Sequence, residues 1–167
     1  MIGLIGINHQ IADIEKRSAF ALTSGEASLI VEDWIACHFV KGAVILSTCN
    51  RVEIYYDVET TCPVAVEQKL IHSLLSNLEL SVRYGEYLMK LRDADAYEHL
   101  FRLASGLESM VIGETQILGQ LKEAYRMASL SGHCSGVLSR LFHRAFEVAK
   151  RVRSEYILSS TPISAGS

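Results

Sequence analysis

Residues 45-ILSTCNRVEIYYDV-58 hold two extended runs joined by a short polar break. The apolar run that begins at Ala43 stops at Ser47-Thr48-Cys49-Asn50-Arg51, and from Val52 onward two kinds of residue alternate. Val52, Ile54, Tyr56 and Val58 fall on one side, and Glu53, Tyr55, Asp57 and Glu59 on the other. A period of two predicts a strand with one buried face. The stretch therefore predicts a β-hairpin with Cys49 at its tip. A thiol there departs from the habit of cysteine, which is among the most buried residue types.

Outward from the hairpin, 2-IGLIGI-7 is short and apolar and reads as a buried strand. Thr23-Ser24-Gly25-Glu26 has capping-box form, and Ala27, Ile30, Val31, Trp34, Ile35 and His38 follow at helical spacing, with Gly42 as the stop. Pro63 suits a first helical turn and precedes Val66, Leu70, Ile71, Leu74, Leu75 and Leu78 at helical period. Residues 82–91 read as a weaker strand. Asp93 can cap a helix whose core side is Tyr97, Leu100, Phe101 and Ala104, with His99 at the border of that stripe. A loop with Gly106 and Gly113 leads to a helix from about Thr115, and a last helix spans 136–156. The order β-α-β-β-α-β followed by helices predicts an α+β fold: a split βαβ (ferredoxin-like) antiparallel sheet with additional helices forming a helical subdomain. Residues 1–156 read as one domain. Residues 157–167, ending in the polar run 161-TPISAGS-167, read as the start of a linker cut from a longer protein.

The chain has 167 residues, enough for one domain with a real core. Its 49% apolar and 21% charged residues are ordinary globular usage. A net charge of -3 gives no overall attraction to nucleic acid, so a polyanion would need a local basic patch. The four cysteines, Cys37, Cys49, Cys62 and Cys134, show neither a C-x-x-C pair nor zinc-site spacing, so no metal is expected and a reduced cytoplasmic setting fits. No window approaches the roughly 20 apolar residues of a membrane helix.

Cys37, Cys62 and Cys134 read as inert small hydrophobes. Cys49 differs by position: turn N–H groups and the Arg51 guanidinium would favour its thiolate, the nucleophilic form. The loop 104-ASGLESMVIGETQILGQ-120 gathers Ser109, Glu114, Thr115, Gln116 and Gln120 near one helix start, where a cap explains part of the cluster and carboxylate binding by backbone N–H groups would explain more. Arg140, Arg144, Lys150, Arg151 and Arg153 give the last helix a basic face, open to a solvated reading or to a phosphate contact.

Taken together, 47-STCNRVEIY-55, 99-HLFRLASGLESMVIGETQILGQLKEAY-125 and 147-EVAKRVRSE-155, with 6-GINHQ-10 at the start, resemble glutamyl-tRNA reductase, the first committed enzyme of five-carbon tetrapyrrole synthesis. The resemblance is to that family's N-terminal catalytic domain. No G-x-G-x-x-G follows a strand, so the NADPH-binding and dimerising parts have no counterpart here. Residues Ile11-Ala12-Asp13 stand where the family commonly has a Thr-Ala-Pro-like segment. The resemblance implies that Cys49 attacks the aminoacyl ester of glutamyl-tRNA to give a thioester. In the full-length enzyme NADPH reduces it to glutamate-1-semialdehyde. It implies His99 as a proton-transfer or orienting group, and Thr48, Asn50, Arg51, Ser109, Glu114, Thr115, Gln116 and Gln120 as the glutamyl-binding set. Arg51 would pair with the substrate carboxylate, and Glu114 with its ammonium. A homodimer, and an aminomutase that receives the aldehyde, are implied for the full-length enzyme. Two further readings stay open: a non-catalytic module that binds tRNA or a partner, and a cysteine-dependent hydrolase of small esters.

Overall fold

The structure is a computed structural model that describes residues 1–108 and 116–160, with side chains described through 155. Its elements are β1 (Ile2–Asn8), α1 (Ile14–Ala19), α2 (Ser24–Ala36), β2 (Gly42–Ser47), β3 (Arg51–Asp57), α3 (Pro63–Asn77), β4 (Met89–Arg92), α4 (Ala94–Ala104), α5 (Gln116–Leu130) and α6 (Gly136–Ser160). The strands form one sheet in the order β2-β3-β1-β4, antiparallel at every step. That is the split βαβ order predicted from the sequence. β1 lies between β3 and β4 because helical crossovers separate it from its neighbours in the chain, whereas the tight hairpin keeps β2 beside β3.

Every residue of β3 is buried, which overturns the expectation of one solvent face. The reason is a third layer. Val52, Ile54 and Tyr56 pack with Ile5, Ile7, Trp34, Leu70 and Leu74 under α2 and α3. Tyr55 packs with Leu4, Leu46, Leu100, Leu121 and Phe142 under α4, α5 and α6. The C-terminal helices thus cover the second face of the sheet. Burying a side chain of Ile or Phe size contributes about 1.5–3 kcal/mol, so both layers stabilise the sheet. The glycines of β1 answer large partners on β3: Gly3 faces Tyr56 and Gly6 faces Glu53. A Cβ at Gly3 would lie 2.1 Å from the Tyr56 ring, and one at Gly6 would lie 3.0 Å from Glu53 Cγ.

Local differences from the sequence reading have physical causes. The capping box forms as predicted, with Thr23 Oγ1 accepting from Glu26 N and Glu26 Oε2 accepting from Thr23 N. Gly42, however, opens β2 instead of ending α2. The helix ends at Ala36 with Cys37 as its cap, and His38 beyond it takes the left-handed conformation (φ 56) while Phe39 N donates to Trp34 O and His38 N to Ile35 O. Residues 82–91 are not one strand: a 3₁₀ turn covers Val82–Tyr87 and only Met89–Arg92 pair in the sheet. Tyr84 and Tyr87, one 3₁₀ turn apart, meet edge-to-face at 5.8 Å. Asp93 precedes α4 without capping it. Its carboxylate accepts from Ile2 N at 3.0 Å, and its φ of 43 marks a strained turn out of β4. The short α1, capped by Asp13 accepting from Lys16 N, falls just after the segment that departs from the family pattern. α6 continues past Tyr156 to Ser160.

Candidate active site

The hairpin tip is closed by a side chain. Thr48 N donates to Arg51 O at 2.8 Å, and Thr48 Oγ1 accepts from both Asn50 N and Arg51 N at 3.2 Å. Neither Cys49 nor Asn50 has positive φ, so the tip is not the type I′ turn usual for two-residue hairpins. The Thr48 hydroxyl satisfies the turn amides instead. Cys49 is left exposed, as predicted, at the apex of a backbone held from both sides. Cys37 and Cys62, read from the sequence as inert small hydrophobes, are exposed too because they fall at the end of α2 and the start of α3. The turn, and not exposure, therefore sets Cys49 apart.

Beneath the tip runs a buried polar chain. Arg51, Glu53 and Tyr55 alternate on the face of β3 that α4 covers, and none is more than 2% exposed. Glu53 Oε1 accepts from Arg51 Nη1 at 2.7 Å and from His99 Nε2 at 3.0 Å, while Oε2 accepts from Tyr55 Oη at 2.7 Å. Burial pushes the Glu53 carboxyl up. The hydrogen bond and charge of His99, the Arg51 guanidinium and the Tyr55 hydroxyl outweigh it and hold the group below the usual carboxylate range. Burial, and then Glu53, raise the Tyr55 hydroxyl well above its ordinary value. The His99–Glu53 bond engages Nε2, which leaves Nδ1 as the ring nitrogen outside that bond. His99, 11% exposed, thus bridges the buried chain and the surface.

Arg51 is turned inward. Besides Glu53, it donates through Nη2 to the Glu108 carbonyl, so two of its five N–H groups already serve internal acceptors. The Glu108 side chain joins two more segments, accepting from Arg102 Nε at 2.6 Å and Gln10 Nε2 at 3.3 Å. The turn that follows β1, with Gln10, is thereby tied to Glu108. His9 beside it has a buried Nδ1 with no partner among the described residues. Burial, then Arg51 and Arg17, push its pKa down.

Of the remaining predicted residues, Gln116 and Gln120 lie on the first turns of α5, Gln116 exposed and Gln120 half-buried. Ser109, Glu114 and Thr115 lie outside the described residues. A cavity of about 560 Å³ between α2, β2 and α5 is lined by Gln120 and by Ser47, the neighbour of Thr48, while Cys49, Arg51 and His99 do not line it. The chemistry is therefore located by the polar chain and the thiol, and not by the cavity, whose β2 lining is Ala43, Ile45 and Ser47. Sequence reasoning missed Glu53, Glu108 and His9. The signal for Glu53 was R-x-E-x-Y at strand period, legible only once both faces of β3 are known to be buried.

A family model described as glutamyl-tRNAGlu reductase, N-terminal domain, matches residues 5–156. The chain is similar to the glutamyl-tRNA reductase of Lawsonia intracellularis, 42% identical over 166 residues that cover 98% of this chain and 37% of the relative. It is 43% identical over 155 residues to that of Solibacter usitatus, covering 91% of this chain and 36% of the relative. The solved structure of glutamyl-tRNA reductase from Methanopyrus kandleri superposes with a TM-score of 0.74 at 34% identity, over 99% of this chain and 36% of that one. The chain thus spans little more than a third of the length of these relatives. The exposed Cys49 tip, the sheet order and the matched residues lead to one conclusion: the chain belongs to the glutamyl-tRNA reductase N-terminal domain family.

Proposed function

We propose that this chain performs the acyl-transfer half of glutamyl-tRNA reduction. The observation that carries the reading is an exposed cysteine on a side-chain-closed turn, seated above a buried Arg51–Glu53–His99 chain. The Cys49 thiolate attacks the ester carbonyl of glutamyl-tRNA, the carbon–oxygen ester bond breaks, and the ribose hydroxyl leaves with a proton. The product is a glutamyl thioester on Cys49, a better hydride acceptor than an oxygen ester. His99, anchored through Nε2, is the group to move or hold that proton. Thr48 and Asn50 shape the tip, and Gln116 and Gln120 present amides to the glutamyl group. Ser109, Glu114 and Thr115 complete the glutamyl-binding set in this reading, and Arg51, two of whose N–H groups go to Glu53 and the Glu108 carbonyl, is the partner of the substrate carboxylate.

NADPH supplies hydride in the complete enzyme. The described sheet is antiparallel throughout, without the parallel strand and glycine-rich turn that usually cradle a dinucleotide, so no residue of this chain is assigned to it. Cytoplasmic location, homodimerisation and hand-over of the aldehyde to an aminomutase belong to the same proposal for the full-length enzyme. No helix among the described residues is long and apolar enough to cross a membrane.

The test is to mix the chain with glutamyl-tRNA labelled in the amino acid, without NADPH, and to look by mass spectrometry for glutamyl on Cys49 beside a Cys49→Ser control. A glutamyl adduct, or deacylation lost in Cys49→Ser, is expected. A folded chain that shows neither would leave a binding module and end the acyl-transfer reading.

A further inference from the structure

A second groove lies between α5 and α6, away from the thiol. It encloses about 470 Å³ and is lined by Leu118 and Lys122 of α5 and by His143, Phe146, Lys150 and Arg153 of α6, among others. The α6 residues stand three or four apart, so they form one stripe facing α5. Arg140, Arg144 and Arg151 fall within about 40° of one another on the adjoining face of α6. The helix segment 136–155 holds five basic and two acidic residues in a chain of net charge -3, so its charge opposes that of the rest. Glu147, which also lines the groove, is taken by Arg144 at 2.8 Å. Neither Lys122 nor Lys150 forms an ion pair with a described carboxylate. Lys122 Nζ instead sits 5.8 Å from the centroid of the Phe146 ring, which holds the ammonium at the groove mouth.

The placement of this groove relative to the site is set by α5. Gln120, which lines the cavity beside Ser47, and Lys122, which lines the groove, stand two residues apart on α5, about 3 Å along its axis and about 160° round it, so one helix borders both. We infer that the α5–α6 groove binds the phosphate backbone of the nucleotides adjoining the aminoacylated end of the tRNA. Lys122 and Lys150 act as the phosphate-neutralising pair. This rests on the reading of Cys49 as the acyl acceptor, and it adds a holding surface that the cysteine chemistry does not require. Backbone contacts of this kind carry affinity without sequence information and weaken steeply with salt.

The experiment compares the full chain with the double variant Lys122→Gln/Lys150→Gln. Binding of uncharged tRNA is measured by anisotropy from about 50 to about 200 mM salt, and Cys49 acylation is measured with an activated glutamyl ester that carries no nucleic acid. Loss of two single-strand phosphate contacts lowers the slope of log affinity against log salt by about 1.4. The wild-type advantage is then roughly sevenfold larger at the low-salt end than at the high-salt end. Acylation by the small ester is expected to be unchanged, which excludes a fold defect. Equal slopes for the two proteins, with glutamyl transfer from tRNA to Cys49 intact in both, would overturn the groove assignment and leave the acyl-transfer reading standing. An unchanged slope accompanied by weaker binding of an acidic peptide would assign the groove to a protein partner and overturn it likewise. Absence of transfer from tRNA in both proteins would sink the acyl-transfer reading, while a lowered salt slope would still support the groove.

Discussion

The two faces of β3 near the hairpin tip are equally buried and chemically opposite. Toward α2 and α3 the strand shows Val52 and Ile54, paired across the sheet with Ile7 and Ile5 and packed among Trp34, Leu70 and Leu74. Toward α4 it shows Arg51 and Glu53, with Asn8 opposite Arg51 and Gly6 opposite Glu53. The α2–α3 face does hold an ion pair, Glu67 with Arg92, but Arg92 is 39% exposed there and sits at the other end of β1, opposite Gly3. Burying a charge pair gives little stability beyond what well-packed hydrophobes would give. A fold that puts one directly below an exposed thiol is serving something other than stability. The apolar face makes the sheet, and the polar face equips it.

The sharpest way to break that comparison is to remove one member of the buried chain. Glu53→Ala leaves the Arg51 guanidinium buried without its carboxylate and takes the acceptor from His99 and Tyr55. Urea unfolding should show a loss of roughly 3–5 kcal/mol. The triple variant Arg51→Met/Glu53→Leu/Tyr55→Phe removes the charges together and should recover most of that loss, while glutamyl transfer to Cys49 stays absent. If the triple variant is as unstable as the single one, the polar chain is structural and the division of labour between the faces fails. On the apolar face, Ile54→Ala opens a cavity among packed aliphatics and should cost about 2–4 kcal/mol. The alkylation rate of Cys49 by iodoacetamide should not change in that variant. A changed rate would mean that the two faces are coupled through β3.

The contrast also explains what the sequence could and could not disclose. The order of the four strands and the five longer helices was legible because hydrophobic period, the Thr23 capping box and Pro63 are local signals, whereas α1, a six-residue helix with no buried residue, has no apolar period to announce it. The strand order followed from one hairpin and two helical crossovers. The stop of α2 was hidden because His38 does the work usually given to glycine, and nothing about a histidine announces a positive φ. Glu53 was hidden for a different reason. Alternation shows that a strand has two faces, but whether the polar one meets water depends on helices more than forty residues away in sequence, as Glu53 with His99 shows. Cys49 was conspicuous because a polar turn is an improbable place for a structural thiol, whereas the residues that organise its surroundings lie in strands and resemble ordinary sheet residues.

Acid should probe the polar face selectively. The Glu53 carboxyl is held below its ordinary value of 4.5 in the folded chain, so its contribution to stability is complete above that value. It is lost as pH falls through the lower folded value, because the unfolded chain then binds the proton more readily. Unfolding free energy measured from neutral pH downward should fall below about pH 4.5, and more steeply in the wild type than in Glu53→Gln. Parallel curves for the two proteins would show that other carboxylates dominate acid unfolding and that the Glu53 charge is not held by its neighbours.

The smallest effect on stability is expected at the tip, where the distinction between holding the fold and holding the chemistry is finest. Thr48→Val keeps the shape of the side chain and deletes the oxygen that accepts from Asn50 N and Arg51 N. The Thr48 N to Arg51 O bond and the whole β2–β3 ladder survive, so the net loss should be about 1 kcal/mol, or a Tm shift of roughly 2–4 °C for a chain of this size. Transfer of glutamate from tRNA to Cys49 should fall further than that, by about an order of magnitude or more, because a reacting atom displaced by a fraction of an ångström loses alignment with its carbonyl. Iodoacetamide, small and undemanding of orientation, should label Cys49 in the variant at close to the wild-type rate. A fall in labelling equal to the fall in transfer would mean that the hydroxyl governs the thiol itself and not its placement. Unchanged transfer would mean that the turn amides need no partner, and that β3 alone positions Cys49.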